Sequence, residues 1–161
     1  MEKEKEIDFL EVIRELERRT IRFLIIGRRA VILYGAPVLT ADHDLWIHPA
    51  DKRACLSLLS EDLGFEISHP PDTRRPIVTA FSGMKKYDLF FHKQIKNTES
   101  QGIEFESCYS EATVIEDESD KIRFRIPSID DLIRLKKIRA PNVKDEQDIA
   151  YLLKAKQLFK K

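Results

Sequence analysis

Asp42 and Asp44 flank a single residue in the run Thr40-Ala41-Asp42-His43-Asp44-Leu45-Trp46. In an extended strand alternate side chains share a face, so both carboxylates point one way and His43 points the other. Like charges so close repel, and burying either one without a partner is costly. A divalent cation between them removes both problems. Mg²⁺ suits a site of a few carboxylates completed by waters and substrate phosphates. Asp88 is a third acid, set inside the apolar run Tyr87-Asp88-Leu89-Phe90-Phe91. There it must be exposed, paired or metal-bound. If its strand neighbours the first, Asp42, Asp44 and Asp88 converge on a site able to hold two ions, Mg²⁺ or Mn²⁺, for phosphoryl or nucleotidyl transfer. One ion would activate the attacking oxygen and the other would bind a triphosphate. The bland reading of any Asp-x-Asp pair is a solvated turn or surface strand. A metal-dependent nuclease is a further chemistry that carboxylate clusters serve.

The elements that must position these acids follow from periodicity. Phe9, Ile13 and Leu16 fall at helical spacing, which predicts a helix over about 7–19. A short buried strand over 21–26 ends at Gly27, and a short helix over 28–34 closes at Gly35 before Pro37. The acidic strand covers 42–48. Asp51 is placed to cap a helix running to about 63, with Ala54, Leu58 and Cys55 toward the core and Gly64 as its stop. A short strand at 65–67 precedes a Pro-rich loop, and strands at 77–81 and 85–91 pair around Ser82-Gly83. The stretch 92–119 gives no clear signal before a strand pair at 113–115 and 122–126. Ser128 caps one helix, with Asp131 three residues on, ending at Ala140 before Pro141; Asn142 caps the last, which carries Ile149, Leu152, Leu153 and Phe159. Strands mixed with helices in this order predict an α+β (mixed α/β) fold.

Composition narrows the function classes. The chain has 161 residues, the size of one ordinary domain, and we expect a single domain with a core over about 21–126 and C-terminal helices over about 128–160. Lys plus Arg and Asp plus Glu both total 28, so long-range attraction to nucleic acid is not the basis of its action. The longest uncharged stretch, 30–41, is too short to cross a bilayer, and the charged first residues do not form a secretory signal. Cys55 and Cys108 are the only cysteines, which excludes a disulfide scaffold and fits reduced thiols in a cytoplasmic protein.

The run Ile26-Gly27-Arg28-Arg29-Ala30-Val31, then Tyr34-Gly35, then Thr40-x-Asp42-x-Asp44-Leu45 resembles the opening of the nucleotidyltransferase superfamily that includes DNA polymerase beta and kanamycin nucleotidyltransferase. More narrowly it is similar to small prokaryotic nucleotidyltransferase-like proteins of the AbiEii type, whose motifs read Gly-Gly-x-Ala and Gly-x-x-Arg-x-Thr-x-Asp-x-Asp. The tail is similar too, in Ile126-Pro127-Ser128, Asp131-Leu132, Lys136, Lys144-Asp145, Asp148-Ile149 and Leu152. The resemblance spans about 23–153. It implies a mixed sheet flanked by helices and transfer of NMP from an NTP to a hydroxyl of RNA, protein or a small molecule. Asp42, Asp44 and Asp88 would be the catalytic triad and metal ligands, with Asp88 as base. Gly27, Arg28, Arg29, Thr40 and Lys136 would contact the nucleotide. It also implies a toxin–antitoxin or phage-defence setting, with a partner toxin or antitoxin protein.

Two departures bear on that inference. Arg28 replaces the second Gly of the motif, and Val38 stands where the family has an Arg. Either Arg28 binds phosphate in place of the missing Arg, or it pairs with Asp42 or Asp44 and occupies the metal site. The second case leaves a catalytically degenerate domain acting through protein contacts. Lys136 lies on the apolar side of its helix, either reaching the triphosphate or snorkelling at the core edge. Asp145 and Asp148 open the last helix and suit its dipole, which suffices to explain them. Arg74 and Arg75 sit in the Pro-rich loop and read as solvated. The four histidines lack metal-ligand spacing.

Overall fold

The computed structural model describes residues 6–99, 101–138 and 142–159. Five strands form its central sheet: β1 (Phe23–Ile26), β2 (Asp42–Ile47), β3 (Glu66–Ile67), β4 (Ile77–Ser82) and β5 (Lys85–Phe90). Their order is β1-β2-β5-β4-β3. The sheet is mixed, because β2 and β5 run parallel while every other neighbouring pair is antiparallel. β4 and β5 form a tight hairpin through Gly83, whose φ of +57° puts it in the left-handed region that favours glycine.

Side-chain alternation splits the sheet into two unlike faces. Phe23, Ile25, Leu45, Ile47, Val78, Ala80, Tyr87 and Leu89 are all buried on one face, together with His43. Helix α1 (Phe9–Arg18) covers this face with Val12, Ile13 and Leu16. Asp8 caps that helix, accepting from Leu10 N at 3.1 Å. Cys55, Leu56, Leu58 and Leu59 join the same core from helix α3 (Lys52–Ser57) and the π-helical turn that continues it over Leu58–Asp62. α2 (Gly27–Leu33) adds Ala30 and Val31.

The expectation that Asp51 caps α3 is corrected. Its carboxylate accepts from the backbone and side chain of Arg22, at 3.0 and 2.9 Å, and so ties the chain just before β1. A charged partner with two aligned donors outcompetes a single helix amide. The cap falls instead to His48, whose Nδ1 accepts from Ala50 N at the start of a 3₁₀ turn over Pro49–Asp51. Ala54 is exposed, so of the three residues expected inward only Cys55 and Leu58 are buried.

The stretch without a clear signal is ordered into small elements. β6 (Gln94–Lys96) and β7 (Gly102–Glu104) form a hairpin, followed by α4 (Phe105–Ser110). Ile103, Phe105 and Cys108 pack on Leu24, Ile26 and Trp46, making a second, smaller core on the other face of the sheet. β8 (Thr113–Asp117) and β9 (Ile122–Ile126) pair as a separate ribbon, with β9 facing the larger core. α5 (Ile129–Ile138) starts at Ser128, whose Oγ accepts from Asp131 N at 3.1 Å. Its expected end at Ala140 lies outside the described residues. α6 (Val143–Phe159) starts at Asn142, whose Oδ1 accepts from Asp145 N at 2.8 Å. Leu152 is buried and Ile149 packs against the core, whereas Leu153 is half exposed; the side chain of Phe159 is outside the described set.

Candidate active site

The parallel pairing of β2 with β5 sets the site. Asp44 lies directly across from Asp88, and Asp42 shares their face two residues along β2. His43 and Tyr87, opposite one another on those same strands, point to the other face. Like charges on adjacent strands must be offset. At Asp88 the offset comes from Thr79 Oγ1, which donates to Oδ1 at 3.2 Å from the facing position on β4, and from Lys86 Nζ, 3.6 Å from Oδ2. Thr79 was not anticipated as a site residue. Its signal is visible only once the register of β4 against β5 is known.

Gly27 holds the other side of Asp44. Its φ is +71°, and a Cβ at this position would collide with the Asp44 carboxylate. The backbone opening α2 is therefore pressed against Asp44, an approach that only glycine permits.

Arg29 and Thr40 shape the loop before β2. Thr40 Oγ1 accepts from Asp42 N at 3.2 Å, and Arg29 donates to the carbonyls of Thr40 and Asp42 at 3.1 and 3.4 Å. The Arg29 guanidinium also lies 5.4 Å from the Phe9 ring centroid, and burial lowers its pKa. Both residues thus hold the backbone that presents Asp42.

The contacts of Arg28 are with α6. Its Nη2 donates to Gln147 Oε1 at 2.8 Å, and its Nε lies 3.3 Å from Asp148 Oδ1. That ion pair is poorly aligned, because both atoms are enclosed without a hydrogen-bond partner. Lys136 joins the same cluster, with Nζ 2.9 Å from Asp148 Oδ2 and 3.4 Å from Asp145 Oδ1. Lys136, Asp145 and Asp148 are all buried. The helix dipole is therefore not a sufficient account of the two aspartates. A buried lysine needs anionic partners, and the Asp-x-x-Asp spacing on α6 supplies them from one helix face. Lys136 is buried outright, not snorkelling at the core edge.

A cavity of about 500 Å³ opens over this face. Gly27, Asp44 and Lys136 line one part of it, Asp42 and Asp88 lie outside the lining, and residues of β4, β5, β6 and α5 wall the remainder. The residues present fit Mg²⁺ in their donor chemistry, since Asp44 and its register partner Asp88 offer hard carboxylate oxygens on one face. Among the described residues, no three potential ligands are grouped closely enough to enclose an ion by themselves. Mg²⁺ bound through one or two carboxylates, water and phosphate does not require such a group. Elsewhere the two thiols are buried and free, and burial pushes both up to about 12. Among the described residues no helix is long and apolar enough to cross a membrane.

This is the nucleotidyltransferase fold. The chain is similar to the lincosamide antibiotic adenylyltransferase LnuA in its lincomycin-bound form, with a TM-score of 0.66 at 13% identity over 94% of this chain and 99% of that one. It is also similar to the antibiotic-resistance factor ANT(2'')-Ia, at 0.59 and 14% over 90% and 80% of the two chains. A putative nucleotidyltransferase from Thermotoga maritima gives 0.54 and 13% over 92% and 86%. No protein-family model and no curated protein matches the sequence.

Proposed function

We propose that this chain transfers NMP from an NTP to a hydroxyl of a small molecule. The observation that carries the reading is the register of β2 on β5, which sets Asp44 beside Asp88 with Asp42 on the same face, under the tight backbone at Gly27. The acceptor oxygen would attack the α-phosphorus, the bond to the leaving pyrophosphate would break, and the hydroxyl proton would pass to Asp88. Asp42 and Asp44 would hold Mg²⁺ or Mn²⁺, which when bound neutralises the triphosphate and favours the attacking oxygen. Gly27 lets the nucleotide approach the backbone, and Arg29 and Thr40 fix the loop that aims Asp42. Lys136 lines the same cavity, with its ammonium held by Asp145 and Asp148.

A small acceptor is favoured over RNA or protein because the cavity is the size of a drug-like ligand site. LnuA and ANT(2'')-Ia, by their names and bound compounds, act on small antibiotics. Closer kinship with AbiEii-type proteins, a toxin or antitoxin partner, action as one domain and a cytoplasmic location rest on sequence motifs and composition alone.

Titration calorimetry with the four NTPs, with and without Mg²⁺, tests the reading. The wild type should bind at least one in a Mg²⁺-dependent manner, and a double variant carrying Asp42→Asn and Asp44→Asn should not. The second reading is a degenerate binding module. It draws support from the hold of Asp148 on both Arg28 and Lys136, and it predicts no NTP binding under any of these conditions.

A further inference from the structure

We infer that the cavity beside the acids takes an acceptor with an apolar body and a neutral or anionic far end, and that it disfavours a polycation. The inference rests on the proposed transfer reaction and names the class of its acceptor. Along β5 the face that carries Asp88 continues to Phe90 and then to His92, so the cavity extends from the acids toward that end. Its walls there are Ile77, Phe90, Ile95, Leu132, Leu135 and Ile138. None of these side chains carries a polar atom, so they offer no donor or acceptor to the edge of a nucleobase. They reward burial of aliphatic or aromatic surface, at about 25 cal/mol per Å².

The polar residues at this end are His92, Gln94 and Lys96. Gln94 and Lys96 come from the β6 strand and are exposed, so they stand at the rim. Among the described residues Asp44 is the one acid that lines the cavity, and it belongs to the reacting end. Among the described residues that line the far end, a polyamine would find no carboxylate and would meet the Lys96 ammonium; Glu104, the register partner of Gln94, is exposed and lies outside the lining. An amphipathic hydroxyl compound would bury its body on the apolar walls and present its polar end to Gln94 and Lys96.

Trp46 supplies the readout. It is the chain's single tryptophan, it is fully buried, and its Nε1 donates to the His92 carbonyl at 2.8 Å. Its fluorescence can be followed in the full chain during titration with octyl glucoside below its micelle threshold, 8-hydroxyoctanoate and tobramycin. Each titration is run with and without Mg²⁺ and a non-hydrolysable NTP analogue. Octyl glucoside and 8-hydroxyoctanoate should bind at least about tenfold more tightly than tobramycin. Lys96→Glu should weaken 8-hydroxyoctanoate about threefold to tenfold and leave octyl glucoside unchanged. Ile77→Asp should weaken both apolar probes about tenfold. Ile77 is 45% exposed, so this change is compatible with folding, and a circular dichroism melt checks it.

Tobramycin binding as well as the apolar probes would overturn the inference. So would loss of probe binding in the presence of the NTP analogue, which would make the cavity the base pocket. Probe binding unaffected by Ile77→Asp would also overturn it. The transfer reading fails by a separate result, the absence of Mg²⁺-dependent binding of the NTP analogue itself.

Discussion

On one face of the central sheet, the positions of β1, β2, β4 and β5 that point toward α1 and α3 are apolar and buried except His43 and Ser82, which are buried, and Lys85 at the hairpin end, which is half-buried. On the other face the same strands carry Asp42, Asp44, Thr79, Lys86 and Asp88, and only Leu24, Ile26 and Trp46 are sealed under a small core. The two faces alternate along the same backbone, one residue apart. Stability and chemistry are therefore separable here by parity. A change on the covered face should act on folding, and a change on the acidic face should act on ligand and rate.

The largest effect should come from Asp44→Asn. Pyrophosphate release should fall by about a thousandfold or more, while the melting temperature moves little. A comparable drop in melting temperature would break the separation of the faces. Next is Asp148→Ala, which leaves Lys136 and Arg28 without their shared carboxylate. Breaking a buried pair costs about 3–5 kcal/mol, and urea unfolding should read it. Unlike the first change, this one should affect stability and NTP affinity together, because the cluster joins α6 to the cavity wall.

Leu45→Ala, one residue beyond Asp44 and facing the core, should cost about 3 kcal/mol of stability. NTP affinity measured well below the melting temperature should not change. A loss of affinity there would show that the faces are coupled through β2.

The smallest effect is a pH dependence. His43 is stacked between Phe9 and Tyr87, with centroids 4.3 and 4.5 Å away. Burial, followed by the nearby Arg29 and Lys85 charges, lowers its pKa from 6.5 to about 4. The unfolded chain therefore takes up this proton first as pH falls. The stabilisation is complete above about 6.5 and is lost progressively as pH falls from there toward about 4. His43→Phe should flatten that part of the stability profile relative to wild type.

Legibility in the sequence followed local pattern. Alternation in Asp42-His43-Asp44 was enough to predict which side chains share a face, and the register bears it out. The α+β class, the β4–β5 hairpin and the caps at Ser128 and Asn142 were readable for the same local reason. Asp145 and Asp148 were not, because their partners lie on other helices and a solvated first turn would have looked identical. Asp51 looked like a cap because its true partner, Arg22, is 29 positions away. The β6–β7 hairpin was hidden because its strands are three residues each, too short for alternation to register. The partners of Arg28 were hidden as well, because the pairing considered for it was with the acids of β2, whereas its contacts are on α6.

The pairing of Asp44 with Asp88 across parallel strands has a consequence for how the protein is made. Parallel neighbours cannot be joined by a tight turn, and here the connection includes α3, β3 and β4. Closing such a long loop precedes any gain from the contact, so non-local pairing of this kind forms slowly. On the ribosome, a chain that has emerged only as far as β2 has two of the three acids but not the strand that supplies the third. The charge cluster that steadies Lys136 waits longer still, for α6, which follows every strand of the sheet. The complete site should therefore assemble only after α6 has emerged, and chains terminated before α6 should lack it.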